Sequence, residues 1–196
     1  MQLGFARIIA ASLTGVILTF TSASVQGTSV LPLDLDRLVA GAQSVVQVRC
    51  TGNVVEPDAT VGAVTVTTFV VLDRAKGSAG STFTLRQAGG ELGGVVFDFP
   101  TPKFRMGDEY VLFVPPASGL GLASPVGLSQ GVFAVALAAT GKDVGNGEDF
   151  AVLLAGADAS TLPPGIATRM QLPRRERSRV DLGDFMSLIR TKVQAR

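Results

Sequence analysis

The acidic side chains are the residues of this sequence best suited to chemistry, because the chain has no histidine and a single cysteine. The lack of histidine excludes Ser-His-Asp and Cys-His catalysis and nearly all catalytic zinc sites. One cysteine cannot build a structural zinc site or hold an iron–sulfur cluster. The sequence contains neither a Walker-type phosphate loop nor a strand-linked GxGxxG motif. It therefore predicts a protein that is not an enzyme and that holds no cofactor and no metal.

Paired carboxylates could still hydrolyse a substrate, since that chemistry needs neither histidine nor cysteine. Asp108 and Glu109 are adjacent, so in an extended strand they would point to opposite faces, and we interpret them as a polar turn before a buried strand. A second acidic loop, with Asp143, Glu148 and Asp149 among glycines, could hold calcium weakly. Its spacing differs from that of an EF-hand, and a solvated hairpin tip is the simpler interpretation.

The run GGELGG at 89–94 superficially suggests an anion-binding loop, but no helix is expected after it and it carries no lysine. We interpret it as a loop that needs positive φ angles. Glycines on both sides leave Glu91 sterically exposed. Glu91, with Pro100, Lys103 and Arg105 in the segment that follows, is the predicted partner-binding loop.

The elements that would position these loops are mostly β-strands. Runs rich in Val, Thr or Phe and bounded by Gly, Pro, Asn or Asp predict strands at 45–55, 64–73, 82–87 and 95–99. Alternation within the third run places Phe83 and Leu85 on the core side. The segment 110–114 is apolar on both faces and stops at prolines, which predicts a fully buried strand. The runs 131–137 and 150–154 predict a further hairpin around the polar loop 141–149.

Two helices are expected to flank the strands. Asp34 is placed to N-cap a short helix, and Leu182, Phe185, Leu188 and Ile189 recur at helical spacing near the C-terminus. We divide the chain into a signal peptide at 1–24, an OB-like β-barrel domain at 25–160, an extended Pro/Arg-rich linker at 161–179 and an amphipathic helix at 180–196. The predicted fold class is mainly β, with a small five-stranded barrel.

The first residues are typical of a cleavable secretory signal. Arg7 precedes an apolar stretch, 8–20, that is short for a membrane span of about 20 residues. Small residues follow, so cleavage is expected after Ala23 or Ser24, with Gly27 as an outside choice. No cysteine stands nearby to carry a lipid, and the alternative is an uncleaved N-terminal anchor. We expect an exported protein, periplasmic or secreted, with no stable membrane anchor after cleavage.

Charge is balanced over the chain but unevenly placed. Beyond the predicted signal there are 16 basic and 16 acidic side chains, which predicts no nucleic acid partner. Residues 34–168 hold eight basic and thirteen acidic side chains, whereas 169–196 hold eight basic and three acidic. The arginines at 174, 175, 177 and 179 could bind anionic lipid or a polyanion. Docking of this tail on the acidic body is the interpretation that the charge balance favours.

Cys50, as the one cysteine, can form no disulfide within the chain, so stability must come from the core. An exposed thiol could join two chains. However, Val46, Val48 and Cys50 alternate with polar residues and share one face of a predicted strand. We therefore expect Cys50 to be a buried small hydrophobe.

Several short pieces occur in a recognisable order between about residues 33 and 137. They are Leu35-x-x-Leu38-Val39-x-x-Ala42 running into 45–48, Ala75-Lys76-Gly77, Gly89-Gly90, Phe104-x-x-Gly107-Asp108-Glu109-Tyr110-Val111-Leu112-Phe113 and Gln130-Gly131-x-Phe133. Together they resemble a group of bacterial exported proteins whose domain is similar to the netrin-like OB barrel of the tissue inhibitors of metalloproteinases. The resemblance implies a closed or partly open barrel of about five strands. Such barrels bind proteins, sugars or nucleic acids.

One departure from that group bears on function. The animal inhibitors chelate the zinc of a protease through an N-terminal cysteine, and no cysteine lies near any expected mature N-terminus here. We favour an exported non-catalytic binding module for an unknown protein or envelope polymer. The alternatives are a protease-associated or inhibitor-like protein, whose partner would be an exported protease, and a carboxylate-based hydrolase.

Overall fold

The computed structural model describes residues 31–78 and 80–195, so the predicted signal peptide lies outside the described residues. The described chain is mainly β, with a helix near each end. The elements are α1 (Leu35–Gly41), β1 (Ser44–Asp58), β2 (Gly62–Lys76), β3 (Thr82–Ala88), β4 (Gly90–Leu92), β5 (Val95–Phe97), β6 (Glu109–Val114), β7 (Val132–Ala138), β8 (Gly141–Gly145), α2 (Phe150–Leu153), α3 (Pro164–Met170), β9 (Val180–Asp181) and α4 (Leu182–Gln194). Short 3-10 turns lie at Leu128–Gly131, Ala159–Thr161 and Arg174–Glu176.

Seven strands form one antiparallel sheet in the order β3-β2-β1-β6-β7-β8-β9, and β4 pairs with β5 in a separate hairpin. Register shifts between β1 and β2, at 45/46, 47/48 and 50/52, are points at which a strand bends and twists more strongly. Across the described ranges no ladder joins β3 to β9, so the sheet is open. The mainly β class and the terminal helices are confirmed, but the main sheet has seven strands where five were predicted.

Strand β6 lies between two hydrophobic cores because successive side chains of a strand point to opposite faces. Val111 and Phe113 pack into a helix-side core, together with α1, α2, α3 and α4. Tyr110, Leu112 and Val114 pack into a second core that includes Phe69, Leu85 and Phe104. All five of these β6 residues are buried, which confirms the prediction of a strand covered on both faces.

Four phenylalanines form the centre of the helix-side core. Phe113, Phe133, Phe150 and Phe185 make ring contacts with centroid separations of 4.9 to 6.4 Å. Phe185 belongs to α4, which packs on β2 and β8 with its apolar face inward. The predicted amphipathic C-terminal helix is therefore confirmed, and it covers one face of the sheet.

The hairpin predicted from 131–137 and 150–154 is wrong. Strand β7 turns directly into β8, with Ala138 paired to Gly141, so the expected polar loop is itself the partner strand. Residues Phe150–Leu153 form α2 instead. The cause is local, because the Asp149 side chain accepts from the backbone N–H of Ala151 and caps a helix that buries Phe150.

The extended conformation predicted for 161–179 does not hold at Pro164–Met170, which form α3. Proline at the first position of a helix loses no hydrogen bond, since that N–H has no partner within the helix. Ile166 of α3 is fully buried in the helix-side core. This segment is therefore part of the packed fold.

The basic tail docks on the acidic body, as the charge distribution predicted. The pairs are Arg177 with Asp149 at 2.8 Å, Arg169 with Asp143 at 3.7 Å, Lys192 with Asp36 at 2.8 Å, and Arg190 with Asp73. Arg177 makes two hydrogen bonds to Asp149, through Nε and Nη2.

Of the helices that the structure describes, none is long and apolar enough to cross a membrane.

Candidate functional site

A cavity of about 380 Å³ lies between the sheet and the segment 89–104. Strands β1, β2 and β3 supply its floor, which is Asn53, Thr65, Thr67 and Gln87. The segment 89–104 supplies its wall, which is Gly89, Gly90, Glu91, Val96, Phe97, Asp98, Phe99, Thr101, Pro102, Lys103 and Phe104. We call this space the Gln87 cavity.

Strand register brings the floor residues together. Thr65 lies directly opposite Gln87 in the ladder between β2 and β3, and Thr67 lies opposite Asn53 in the ladder between β2 and β1. Thr65 and Thr67 are two residues apart on one strand, so both face the same side. The floor is therefore a polar continuation of the second core, whose Phe69 and Leu85 lie on the same face of these strands.

Hydrogen bonds hold three of the four floor residues in place. The Thr65 hydroxyl donates to the carbonyl oxygen of Gly89 at 2.7 Å, which ties the wall to β2. The Thr67 hydroxyl donates to Oδ1 of Asn53 at 2.7 Å. Nδ2 of Asn53 in turn donates to the carbonyl oxygen of Phe104 at 3.1 Å. Three of the four floor side chains are thus held in place by hydrogen bonds within the fold.

Gln87 differs from the other floor residues. Its side chain is almost entirely buried, with 3% of the residue exposed, and Nε2 has no hydrogen-bond partner. Most buried polar side-chain atoms are hydrogen-bonded, because an unpaired buried donor costs about 1–3 kcal/mol. Among the residues that the structure describes, Nε2 of Gln87 is the one buried side-chain nitrogen or oxygen without a hydrogen-bond partner. Gln87 therefore brings a buried donor without a partner to the lining of the cavity.

The wall approaches the floor closely at two glycines. Gly89 and Gly90 have φ angles of +99° and +141°. A Cβ atom on Gly90 would lie 2.8 Å from Cγ1 of Val55 and 2.9 Å from Oγ1 of Thr65. The prediction that this loop needs positive φ angles is confirmed, and the lack of side chains also lets the β4–β5 hairpin lie against the sheet.

The structure separates the four residues of the predicted partner-binding loop. Glu91 and Lys103 line the Gln87 cavity. Pro100 lines a neighbouring cavity of about 420 Å³, which shares Thr101 and Pro102 with the first. Arg105 lines neither of these two cavities, and its backbone N–H donates to the Tyr110 hydroxyl at 3.1 Å.

The adjacent acids Asp108 and Glu109 do not form a facing pair. Glu109 accepts from Arg49 and Lys142, each at 2.6 Å. Burial raises the pKa of Glu109, but the hydrogen bonds and positive charges of Lys142 and Arg49 together outweigh it, so the pKa lies below its usual value. Asp108 accepts from the Tyr110 hydroxyl at 3.4 Å. Glu109 is thus held in its charged form by the two cations.

The acidic loop around residue 148 is not assembled as a calcium site. Asp143 lies in β8 and pairs with Arg169, whereas Asp149 caps α2 and pairs with Arg177. The hydrogen bond from Arg177 is the main reason that the pKa of Asp149 is lowered. Over 31–78 and 80–195, no three potential metal-ligating side chains of His, Cys, Asp or Glu come together.

Comparison with known proteins gives no relative. No family model matches the sequence, and no curated protein or solved structure matches the chain. The resemblance to the inhibitor-like OB barrels therefore remains a prediction.

Proposed function

We propose that this chain is an exported, non-catalytic binding module, and that its binding site is the Gln87 cavity with Glu91 and Lys103 at its wall. The observation that carries the proposal is the buried amide of Gln87, a residue that lines the cavity of about 380 Å³ and whose Nε2 has no hydrogen-bond partner. Such a group is tolerated where a ligand completes its hydrogen bonds. The proposal keeps the predicted partner-binding loop, because Glu91 and Lys103 line this cavity.

The chemistry of the cavity favours binding over catalysis. Its floor consists of amides and hydroxyls, and both threonine protons are already donated to fixed acceptors. Carboxylate hydrolysis needs a general acid whose pKa is raised. Glu109 and Asp149 instead have lowered pKa values. Glu109 and Asp149 therefore do not suit the role of that general acid, and the acids that line the cavity, Glu91 and Asp98, are on its wall.

An OB-like barrel is the finer fold that we propose. Five strands, β3-β2-β1-β6-β7, are paired consecutively and antiparallel, and five is the strand number of that barrel. OB folds bind ligands on a strand face and in the adjoining loops, which is where the Gln87 cavity lies. Export rests on the sequence of residues 1–24 and is part of the same proposal.

A retention experiment with matched variants tests this function. The chain from residue 25 would be immobilised and exposed separately to exported proteins and to soluble envelope polymers. Val96 lines the cavity and is 66% exposed, so Val96→Trp narrows the opening without touching the floor. Leu137 is 87% exposed on β7 and does not line the Gln87 cavity, so Leu137→Trp is the matched control.

We expect one component to be retained by the wild-type chain and by Leu137→Trp but lost with Val96→Trp. Equal retention by all three proteins, or no specific retention from either fraction, would contradict the proposed site.

A further inference from the structure

We propose that the Gln87 cavity binds an uncharged sugar unit of a polysaccharide. The inference rests on the proposed function and names the class of its ligand. It follows from the unused hydrogen-bonding capacity of the floor, from the charges of the lining residues and from the aromatic side chains of the wall.

The two threonines can act only as acceptors towards a ligand. Thr65 must donate its hydroxyl proton to Gly89, because a carbonyl oxygen only accepts. Thr67 must donate to Oδ1 of Asn53, because Nδ2 of the same amide is directed to Phe104. Each threonine oxygen keeps lone pairs but has no proton left to give.

Gln87, on the same face of the sheet, can donate hydrogen bonds where the two threonines can only accept them. Its Nε2 carries two N–H donors, neither of which has a partner. Cβ atoms of directly opposed residues in an antiparallel ladder lie about 4.5–5.5 Å apart, and this is the relation between Gln87 and Thr65. Gln87 and Thr65 therefore bring an unpartnered donor group and a free acceptor side by side in the lining of the cavity. A hydroxyl group both donates and accepts, so neighbouring hydroxyls on one ligand match this arrangement.

Charge excludes strongly ionic ligands from the floor. The four floor residues are uncharged, and the charged lining residues are Lys103, Glu91 and Asp98, all on the wall. An anion on the floor would meet the lone pairs of two threonines, and the one cation of the lining, Lys103, is on the wall with the two carboxylates Glu91 and Asp98. A buried unpaired charge is costly, so the ligand that fits is neutral.

The wall supplies apolar contact for the carbon skeleton of such a ligand. Phe97, Phe99 and Phe104 line the cavity. The face of an aromatic ring carries partial negative charge and attracts C–H groups, which a sugar ring presents on its faces. The volume of about 380 Å³ is near the lower end of the range of about 300–1,000 Å³ for small-molecule sites.

An apolar peptide side chain fits the same site less well. An apolar side chain over the floor would leave Gln87 and both threonine oxygens without partners. Addition of a peptide strand at the outer edge of β3 is also hindered, because Ala123 already donates to the carbonyl oxygen of Arg86 at 2.9 Å. These two observations favour the sugar over the peptide.

The test is a titration of the ¹⁵N-labelled chain from residue 25, followed through the side-chain amide signals of Gln87. The probes are cellobiose, laminaribiose, mannobiose and chitobiose, with digalacturonate as the anionic probe and a capped Ala-Phe dipeptide as the peptide probe. We expect at least one neutral disaccharide to shift the Gln87 amide signals in a saturable way, and digalacturonate and the dipeptide to leave them unchanged.

Gln87→Met tests the role of the amide at nearly constant volume. It should weaken binding of that disaccharide about tenfold, the equivalent of one hydrogen bond. Its stability should equal or exceed that of the wild type, because the unpaired buried donor is gone. Gln171→Met, at an exposed glutamine after α3, is the matched control and should bind normally. Val96→Trp, which leaves the floor intact, should also abolish binding.

The inference is overturned if none of the four neutral disaccharides shifts the Gln87 signals, if only digalacturonate or the dipeptide does, or if Gln87→Met binds as tightly as the wild type. None of these results decides the proposed function. That function stands or falls on the retention experiment with Val96→Trp and Leu137→Trp, which makes no assumption about the ligand.

Discussion

Thr65 and Gln87 lie directly opposite each other on β2 and β3, but only the side-chain donor of Thr65 has a hydrogen-bond partner. The Thr65 hydroxyl donates to Gly89, whereas Nε2 of Gln87 has no partner. Leaving such a donor unpaired costs about 1–3 kcal/mol, a large share of the 5–15 kcal/mol by which a typical domain is stable. This penalty is located at the floor of a cavity, which is the reason for assigning the binding site there.

Truncation of Phe185 should severely damage the helix-side core. Phe185 is fully buried and contacts three other phenylalanine rings. Phe185→Ala is expected to lower the free energy of unfolding by about 3–5 kcal/mol, since it leaves a cavity at the junction of α4 and the sheet. Leu137→Ala, at an exposed site, should change it by less than about 0.5 kcal/mol. Similar costs in urea unfolding for the two variants would show that Phe185 does not hold this core together.

Substitutions at two glycines of the β4–β5 hairpin distinguish the cost of a steric clash with the sheet from the cost of an unfavourable backbone conformation. Gly90 and Gly94 both have positive φ angles, but only Gly90 has atoms of the sheet close to the position of a Cβ. Gly94→Ala should cost about 1–3 kcal/mol through its backbone alone. Gly90→Ala should cost more and should also push the hairpin away from Val55 and Thr65. Thermal unfolding of the two variants measures the difference, and equal costs would show that the close approach is unimportant.

The pair between Asp149 and Arg177 should make stability fall in acid. The hydrogen bond from Arg177 lowers the pKa of Asp149, so the stabilisation is fully present above the unfolded-state pKa of about 4 and is lost as the pH falls through the lower folded-state value. Asp149→Asn can still cap α2 but loses the charge. It should be less stable than the wild type at pH 7, and the difference should shrink towards pH 2.

Glu148→Gln is the control for that change, because Glu148 is the adjacent acid and is exposed. It should follow the wild-type curve of urea midpoint against pH. A constant difference between Asp149→Asn and the wild type at every pH would show that the ion pair is not the cause.

The thiol of Cys50 should be unreactive in the folded chain. Cys50 is 1% exposed, in the second core, as its alternation with Val46 and Val48 predicted. An aromatic disulfide reagent should label it slowly in native buffer and completely in denaturant, and no disulfide-linked dimer should form on mild oxidation. Rapid labelling of the native protein would be incompatible with this burial.

The sequence predicted β1, β2, β3, β5, β6 and β7 and the first and last helices, because their composition, alternation or helical spacing is distinctive. It did not predict β4, β8 or β9, which are short. It failed at 150–154, where a short apolar run fits a buried strand or a helix equally well. The residue that distinguishes the two is Asp149, an N-cap residue just before the run. At 164–170 the proline pair favours a linker, but proline is also common at the first helical position, and here that second preference prevails.

The sequence predicted only part of the candidate site: Glu91 and Lys103 were expected to bind a partner, but Gln87 was not. Glu91 and Lys103 are identifiable because a loop displays them, whereas Gln87 lies in a strand outside the predicted partner-binding loop. Gln87 continues the alternation of Phe83 and Leu85, so its position on the core side was readable from the sequence. The sequence did not predict that the segment 96–104 folds over that face. This packing is a tertiary contact with Asn53, Thr65 and Thr67, which are distant from the segment in the chain. Without that cover, a polar residue at a strand end is ordinary.

The most direct test of the Gln87 cavity as the binding site is hydrogen–deuterium exchange with and without the component recovered in the retention experiment. We expect slower exchange on binding in 89–104 and in β3, and no change in the β7–β8 hairpin, whose Leu137 is exposed on another part of the sheet. Protection confined to the β7–β8 hairpin or to the tail at 169–179, with 89–104 unchanged, would place the binding site elsewhere and refute the assignment.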